Sequence, residues 1–115
     1  MSAARPSTKP PPPRPPILVA GLARAGSAAL DALLQDYGPA DLYGWDATPS
    51  ADVRHRAGLW RAKGLSIALG GDGLDSLSLI GPHGTIIKSP GIERGISLLT
   101  RAHAVGVTII DDYGH

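Results

Sequence analysis

An α/β fold, built as a mainly parallel five-stranded sheet with helices on both faces, is predicted by three observations. From Ile17 onward short apolar runs alternate with longer amphipathic segments, the rhythm of repeated strand-helix-strand units. A length of 115 residues supplies one core and leaves no room for a second domain. Glycine-containing loops follow the first and fourth apolar runs, where an open parallel sheet holds its ligand.

Residues 1–16 carry most of the prolines and too few apolar side chains to offset the entropy of ordering, so a disordered or polyproline arm is expected there. Residues 17–115 form the folded domain. Strands are expected at 17–20, 42–45, 66–69, 85–87 and 107–110. Between the first two, Leu30, Leu33, Leu34 and Tyr37 recur at helical spacing, and Gly38-Pro39 supplies the stop. A shorter helix follows, with Val53, Ala57 and Trp60 on one face and Arg54, His55, Arg61 and Lys63 on the other. Gly70-Gly71-Asp72-Gly73 is a turn, and residues 74–80 form either a helical turn or an irregular crossover, since parallel strands require a crossover. Leu98, Leu99, Ala102 and Val105 mark the last helix, which Gly106 ends.

Composition narrows the function. There is no Phe, so Leu, Ile, Val and Ala must build the core, with Trp45 and Trp60 packed on the sheet. The absence of Cys excludes disulfides, thiolate metal sites and cysteine catalysis. Arg5, Lys9 and Arg14 lie in the arm without an acid, which leaves eight cations against ten acids, a net of −2, on the remainder. Such a body is not a nucleic-acid surface. No apolar run reaches bilayer length and no signal segment stands at the start, so no membrane partner and a cytoplasmic location are expected. His55, His83, His103 and His115 lack metal-ligand spacing, and Asp111-Asp112 is expected to be solvated, so no metal site is assigned.

The chemistry is expected in three places. Gly21, Leu22, Ala23, Arg24, Ala25 and Gly26 turn a strand straight into a helix, which presents free N–H groups and the positive end of the helix dipole to a diphosphate. A sharp turn without ligand would use the same glycines. Ala23 replaces the middle glycine of the dinucleotide fingerprint, which weakens an NAD-type embrace. Asp46, followed by Ala47 and Thr48, ends the second strand, where its carboxylate can accept from a ribose hydroxyl or an imide N–H. Equally, it can close an Asx turn or cap the helix beginning near Asp52. After the fourth strand Ser89 offers a hydroxyl, Pro90 fixes the exit angle and Gly91 lets the chain pass close to a ligand.

Taken in order, Gly-Leu-Ala-Arg-Ala-Gly, the acid after the next strand, Gly70-Gly71-Asp72, Lys88-Ser89-Pro90-Gly91-Ile92, Leu98-Leu99 through Ala102 and Gly106-Val107 resemble the amino-terminal domain of the Mur ligases. Among these, the D-glutamate-adding members are the most similar. The resemblance spans about residues 17–112 and implies a Rossmann-like domain that holds the UDP part of UDP-N-acetylmuramoyl-L-alanine. It implies that loop 21–26 faces the diphosphate, that Asp46, Ala47 and Thr48 lie at the uracil, and that Ser89, Pro90 and Gly91 line the same cleft. It implies ATP and Mg only in a complete enzyme, on a separate or missing ATP-binding domain. Ala25 stands where the family has Ser or Thr, and residues 111–115 depart from the family's ending, so truncation before that domain is expected. The chain contains no Gly-Lys-Ser or Gly-Lys-Thr phosphate cradle, so no cofactor and no catalytic residue is assigned, and ligation by this chain alone is not expected. A dinucleotide-binding module of the oxidoreductase class and a non-catalytic interaction domain recruited through the Pro-rich arm are the alternatives.

Overall fold

The computed structural model describes residues 12–111 and Tyr113. Five strands, β1 (Ile17–Ala20), β2 (Leu42–Asp46), β3 (Ser66–Leu69), β4 (Thr85–Lys88) and β5 (Thr108–Asp111), form one sheet in the order β3-β2-β1-β4-β5. Every pairing is parallel, including Ala20 opposite both Trp45 and Lys88. Four helices connect them: α1 (Arg24–Leu33), α2 (Ala51–Ala62), α3 (Leu74–Ile80) and α4 (Ser97–Ala104). The fold is therefore the expected Rossmann-like α/β sheet.

Alternating strand residues feed two cores. Ile17, Val19, Leu42, Ile67 and Ile87 pack with α1 and α2, while Leu18, Ala20, Trp45 and Ile86 pack with α3 and α4. Covering both faces explains why the central strands read as unbroken apolar runs. With Phe absent, Trp45 and Trp60 supply the bulk, each 3% exposed. The Trp45 indole N–H donates to Gly70 O, and that of Trp60 donates to Asp31 Oδ1, which ties α2 to α1.

Several element ends differ from expectation for local reasons. Helix α1 stops at Leu33, ahead of Gly38, because the amides of Gln35 and Asp36 return to carbonyls three residues back and tighten the chain into a turn. Tyr37 then leaves the helix axis, and its hydroxyl donates to Pro13 O at 2.6 Å. Burial, with Tyr113 and Asp36 nearby, raises its phenol above the ordinary value, which retains the donated proton. A short 3-10 turn, Pro39–Asp41, follows. Strands β2 and β4 each run one residue further than expected, to Asp46 and Lys88. Strand β5 begins at Thr108 rather than Val107, in register with Thr85, and Val105 lies beyond α4 with 46% of its surface exposed.

Residues 74–80 resolve to a helix, so the return across the sheet is a helical crossover. Gly73 opens it at φ +79, and the Asp72 side chain accepts from Leu74 N–H. Of the Pro-rich segment, residues 1–11 lie outside the described residues. Residues 13–16 are tied to the body: besides the Tyr37 contact, Arg14 O accepts from the Thr85 hydroxyl and Pro16 O from Thr85 N–H. Among the described residues no helix is long and apolar enough to cross a membrane.

Candidate functional site

The winding reverses once. From β1 the chain adds β2 and β3 on one side, then α3 carries it back to place β4 on the other side of β1. The crevice between the carboxyl ends of β1 and β4 is thus the topological switch point, the place where sheets of this kind hold ligands. Loops 21–26 and 89–91 both leave the sheet there.

Direct bonds join the two loops. Ser89 N–H donates to Ala20 O at 3.0 Å, and the Ser89 hydroxyl donates to Gly21 O at 2.7 Å. Gly21 turns the chain at φ +87, its N–H donating to Trp45 O. Gly26 packs on that turn so closely that a Cβ would stand 1.7 Å from Gly21 O and 2.9 Å from the Ser89 hydroxyl. Only glycine fits. The third loop joins through Asp46, whose Oδ2 accepts from Leu22 N–H at 2.8 Å and whose Oδ1 accepts from Thr48 N–H at 3.0 Å. The Asx turn is therefore present. Asp46 does not cap the next helix, because Ser50 does so by accepting from Val53 N–H.

The expected residues divide by depth. Ala23, Arg24, Ala25, Ala47, Thr48, Pro90 and Gly91 are exposed along the rim, and Asp46 and Ser89 are half-buried beneath it. Gly21, Leu22 and Gly26 are buried. Leu22 has no exposed surface; its side chain fills the space that Gly44 leaves open on β2, and its N–H belongs to Asp46. It builds the loop rather than touching a ligand with its side chain. Helix α1 has Ala23 at its N-cap, with no side-chain cap and no acid in its first turn, so its leading amides and positive dipole end are left to the rim.

The hollow at this rim is small. About 30 Å³ lies among Ala25, Ala29, Ile87, Lys88, Ser89, Pro90 and Tyr113. Larger hollows lie elsewhere, about 330 Å³ beside α2 at Asp31, His55 and Trp60, and about 390 Å³ near Arg14 and His83. A nucleotide at the switch point would lie along the rim and could place only one small group inside.

Lys88 heads the expected 88–92 motif but was given no role of its own there. It is 8% exposed, borders the small hollow, and lies 3.6 Å from Asp111 Oδ1. Asp111 also pairs with Arg94, so its carboxylate is engaged, contrary to the expectation that it is simply solvated; Asp112 lies outside the described residues. Its place in that motif and its position as a single cation closing the apolar run 85–87 were the signs of this in the sequence. His55, His83 and His103 are exposed, as expected, and among the described residues no group of three or more His, Asp or Glu gathers in metal-holding geometry.

The fold and this rim define a doubly wound α/β protein with three loops joined at its switch point. No family model matches the chain, and comparison with curated proteins and with solved structures likewise finds no match.

Proposed function

We propose that the chain binds the UDP part of a UDP-N-acetylmuramoyl-L-alanine-type substrate along this rim. The observation that carries the proposal is the Ser89 hydroxyl on Gly21 O at 2.7 Å, which joins loops 68 residues apart into one edge. The uncapped start of α1 offers amides and dipole to a diphosphate. Each Asp46 oxygen accepts one internal N–H, and a carboxylate has about four acceptor sites, so capacity remains for a uracil imide N–H or a ribose hydroxyl. Arg24, Ala47, Thr48 and Gly91 stand exposed where the rest of the nucleotide would pass.

The motif order that resembles the Mur ligases supplies the substrate class, and the particular enzyme it resembles most is UDP-N-acetylmuramoyl-L-alanine:D-glutamate ligase. On that basis the chain is the substrate-holding part of a cytoplasmic peptidoglycan-precursor ligase. ATP, Mg and the acyl-phosphate chemistry would come from an ATP-binding domain in contact with it. Binding titrations with UDP, ADP and NAD test the assignment. UDP is expected to bind in preference to the other two, and Asp46→Ala and Ser89→Ala are each expected to weaken it, with unfolding curves recorded alongside because both side chains also brace the loops. Equal affinity for all three nucleotides would sink the assignment, and a preference for NAD would replace it with the dinucleotide module.

A further inference from the structure

The charge on Lys88 is enclosed by the fold and poorly satisfied. Its Nζ donates to Ser89 O at 3.2 Å, one acceptor for three N–H groups. Its opposite number in the β4-β5 register, Asp111, comes only to 3.6 Å, beyond hydrogen-bond length. Arg94 holds Asp111 Oδ2, and Asp111 Oδ1 is buried without a hydrogen-bond partner among the described residues. An ammonium removed from water with donors left over is a costly arrangement, of the kind that marks a place for an acceptor oxygen, for which the buried Asp111 oxygen, itself an acceptor, is the competitor.

That place adjoins it. The hollow of about 30 Å³ bordered by Lys88, Ala25 and Ser89 accepts one oxygen atom and no ring. Two cations on a single carboxylate leave the Lys88-Arg94-Asp111 cluster with net positive charge. Helix α1 begins beside it with its positive end and no acid in its first turn. Both fields favour a negatively charged oxygen over a neutral one.

We propose that Lys88 is the anion-binding group of the rim: one phosphoryl oxygen of the ligand enters the hollow and takes the unused Lys88 donors, which Asp111 otherwise balances at a distance. This rests on the nucleotide assignment only for the identity of the ligand, since the charge geometry calls for any phosphoryl oxygen. In that role Lys88 separates phosphorylated ligands from bare nucleosides.

The test titrates the full chain, Lys88→Met and Asp111→Asn with UDP, ADP, uridine and inorganic pyrophosphate, following the amide resonances of Ala25 and Ser89. The unchanged chain is expected to respond to UDP and pyrophosphate. Lys88→Met is expected to weaken both by about tenfold or more, the loss of a charge-assisted hydrogen bond, while uridine binding is unaltered. Asp111→Asn is expected to tighten pyrophosphate several-fold by removing the competing charge. If Lys88→Met does not fold, Asp111→Asn decides: tighter binding supports the proposal, and unchanged or weaker binding overturns it. Absence of pyrophosphate binding, or equal affinity in all three proteins, also overturns it. Pyrophosphate binding that depends on Lys88 without any preference for UDP over ADP would support the anion role while removing the uridine assignment. UDP bound equally well by Lys88→Met would do the reverse.

Discussion

Gly26 is the residue on which the rim most directly depends. A methyl there would have to occupy the space of the Gly21 carbonyl oxygen and press on the Ser89 hydroxyl, and both neighbours are held by hydrogen bonds, so neither can yield cheaply. Gly26→Ala is expected to cost at least about 3 kcal/mol, the upper end for overpacking, measurable as a lower midpoint in urea unfolding. The need for glycine at positions 21 and 26 was legible in the sequence, because a strand that turns straight into a helix leaves no room for a side chain at the crossing. Lys88 and Asp111 were not legible as a pair. Their meeting depends on the register of β4 against β5, and nothing local to either residue encodes that register. Asp46 shows the intermediate case: its Asx turn was one of the alternatives its neighbouring residues offered, but its bond to Leu22 N–H joins positions 24 apart and needed the fold.

Among the elements, α2 has the best-defined beginning. Ser50 accepts from Val53 N–H, and Asp52 follows in the first turn, where a negative charge complements the dipole. Ser50→Ala is expected to lower stability by about 1 kcal/mol, as the loss of a hydroxyl cap does, with nucleotide binding unaltered, checked by chemical unfolding and by titration with UDP. The three central strands were legible to within a residue because burial on both faces leaves their composition little freedom. Helix ends were less so. The spacing of Leu34 and Tyr37 continues that of Leu30 and Leu33, yet both residues reach the core from a turn, with Tyr37 drawn off the helix axis by Pro13 O. Val105 fits the same spacing on α4 but is left 46% exposed, where Gly106 at φ +87 redirects the chain.

At the scale of the whole molecule, the body extends further toward the amino terminus than composition implies. Thr85 is 2% exposed, and its hydroxyl and its N–H find their acceptors on Arg14 and Pro16, while Tyr37 finds its acceptor on Pro13. Proline lacks a donor but keeps its carbonyl, so a proline-rich segment can serve the amino end of a strand through its carbonyls alone. Deletion of residues 1–11 is expected to leave the thermal midpoint and UDP binding unchanged. Deletion of residues 1–16 is expected to destabilise the fold by about 3 kcal/mol or more, because buried donors lose their partners. Comparing the two by calorimetry separates a structural strap from a recruiting arm, since a partner lost with the shorter deletion would belong to the arm alone.

The single reversal of winding has one more consequence. The turn at Gly70, Gly71, Asp72 and Gly73 divides the chain between β3 and α3, so that loop 21–26, with its acid brace, lies in one half and Ser89 with Lys88 in the other. Each half carries one side of the same rim. Severed at that run of glycines, the two pieces could rebuild the rim only by zipping β1 to β4, so that re-forming the sheet and re-forming the proposed site are a single event.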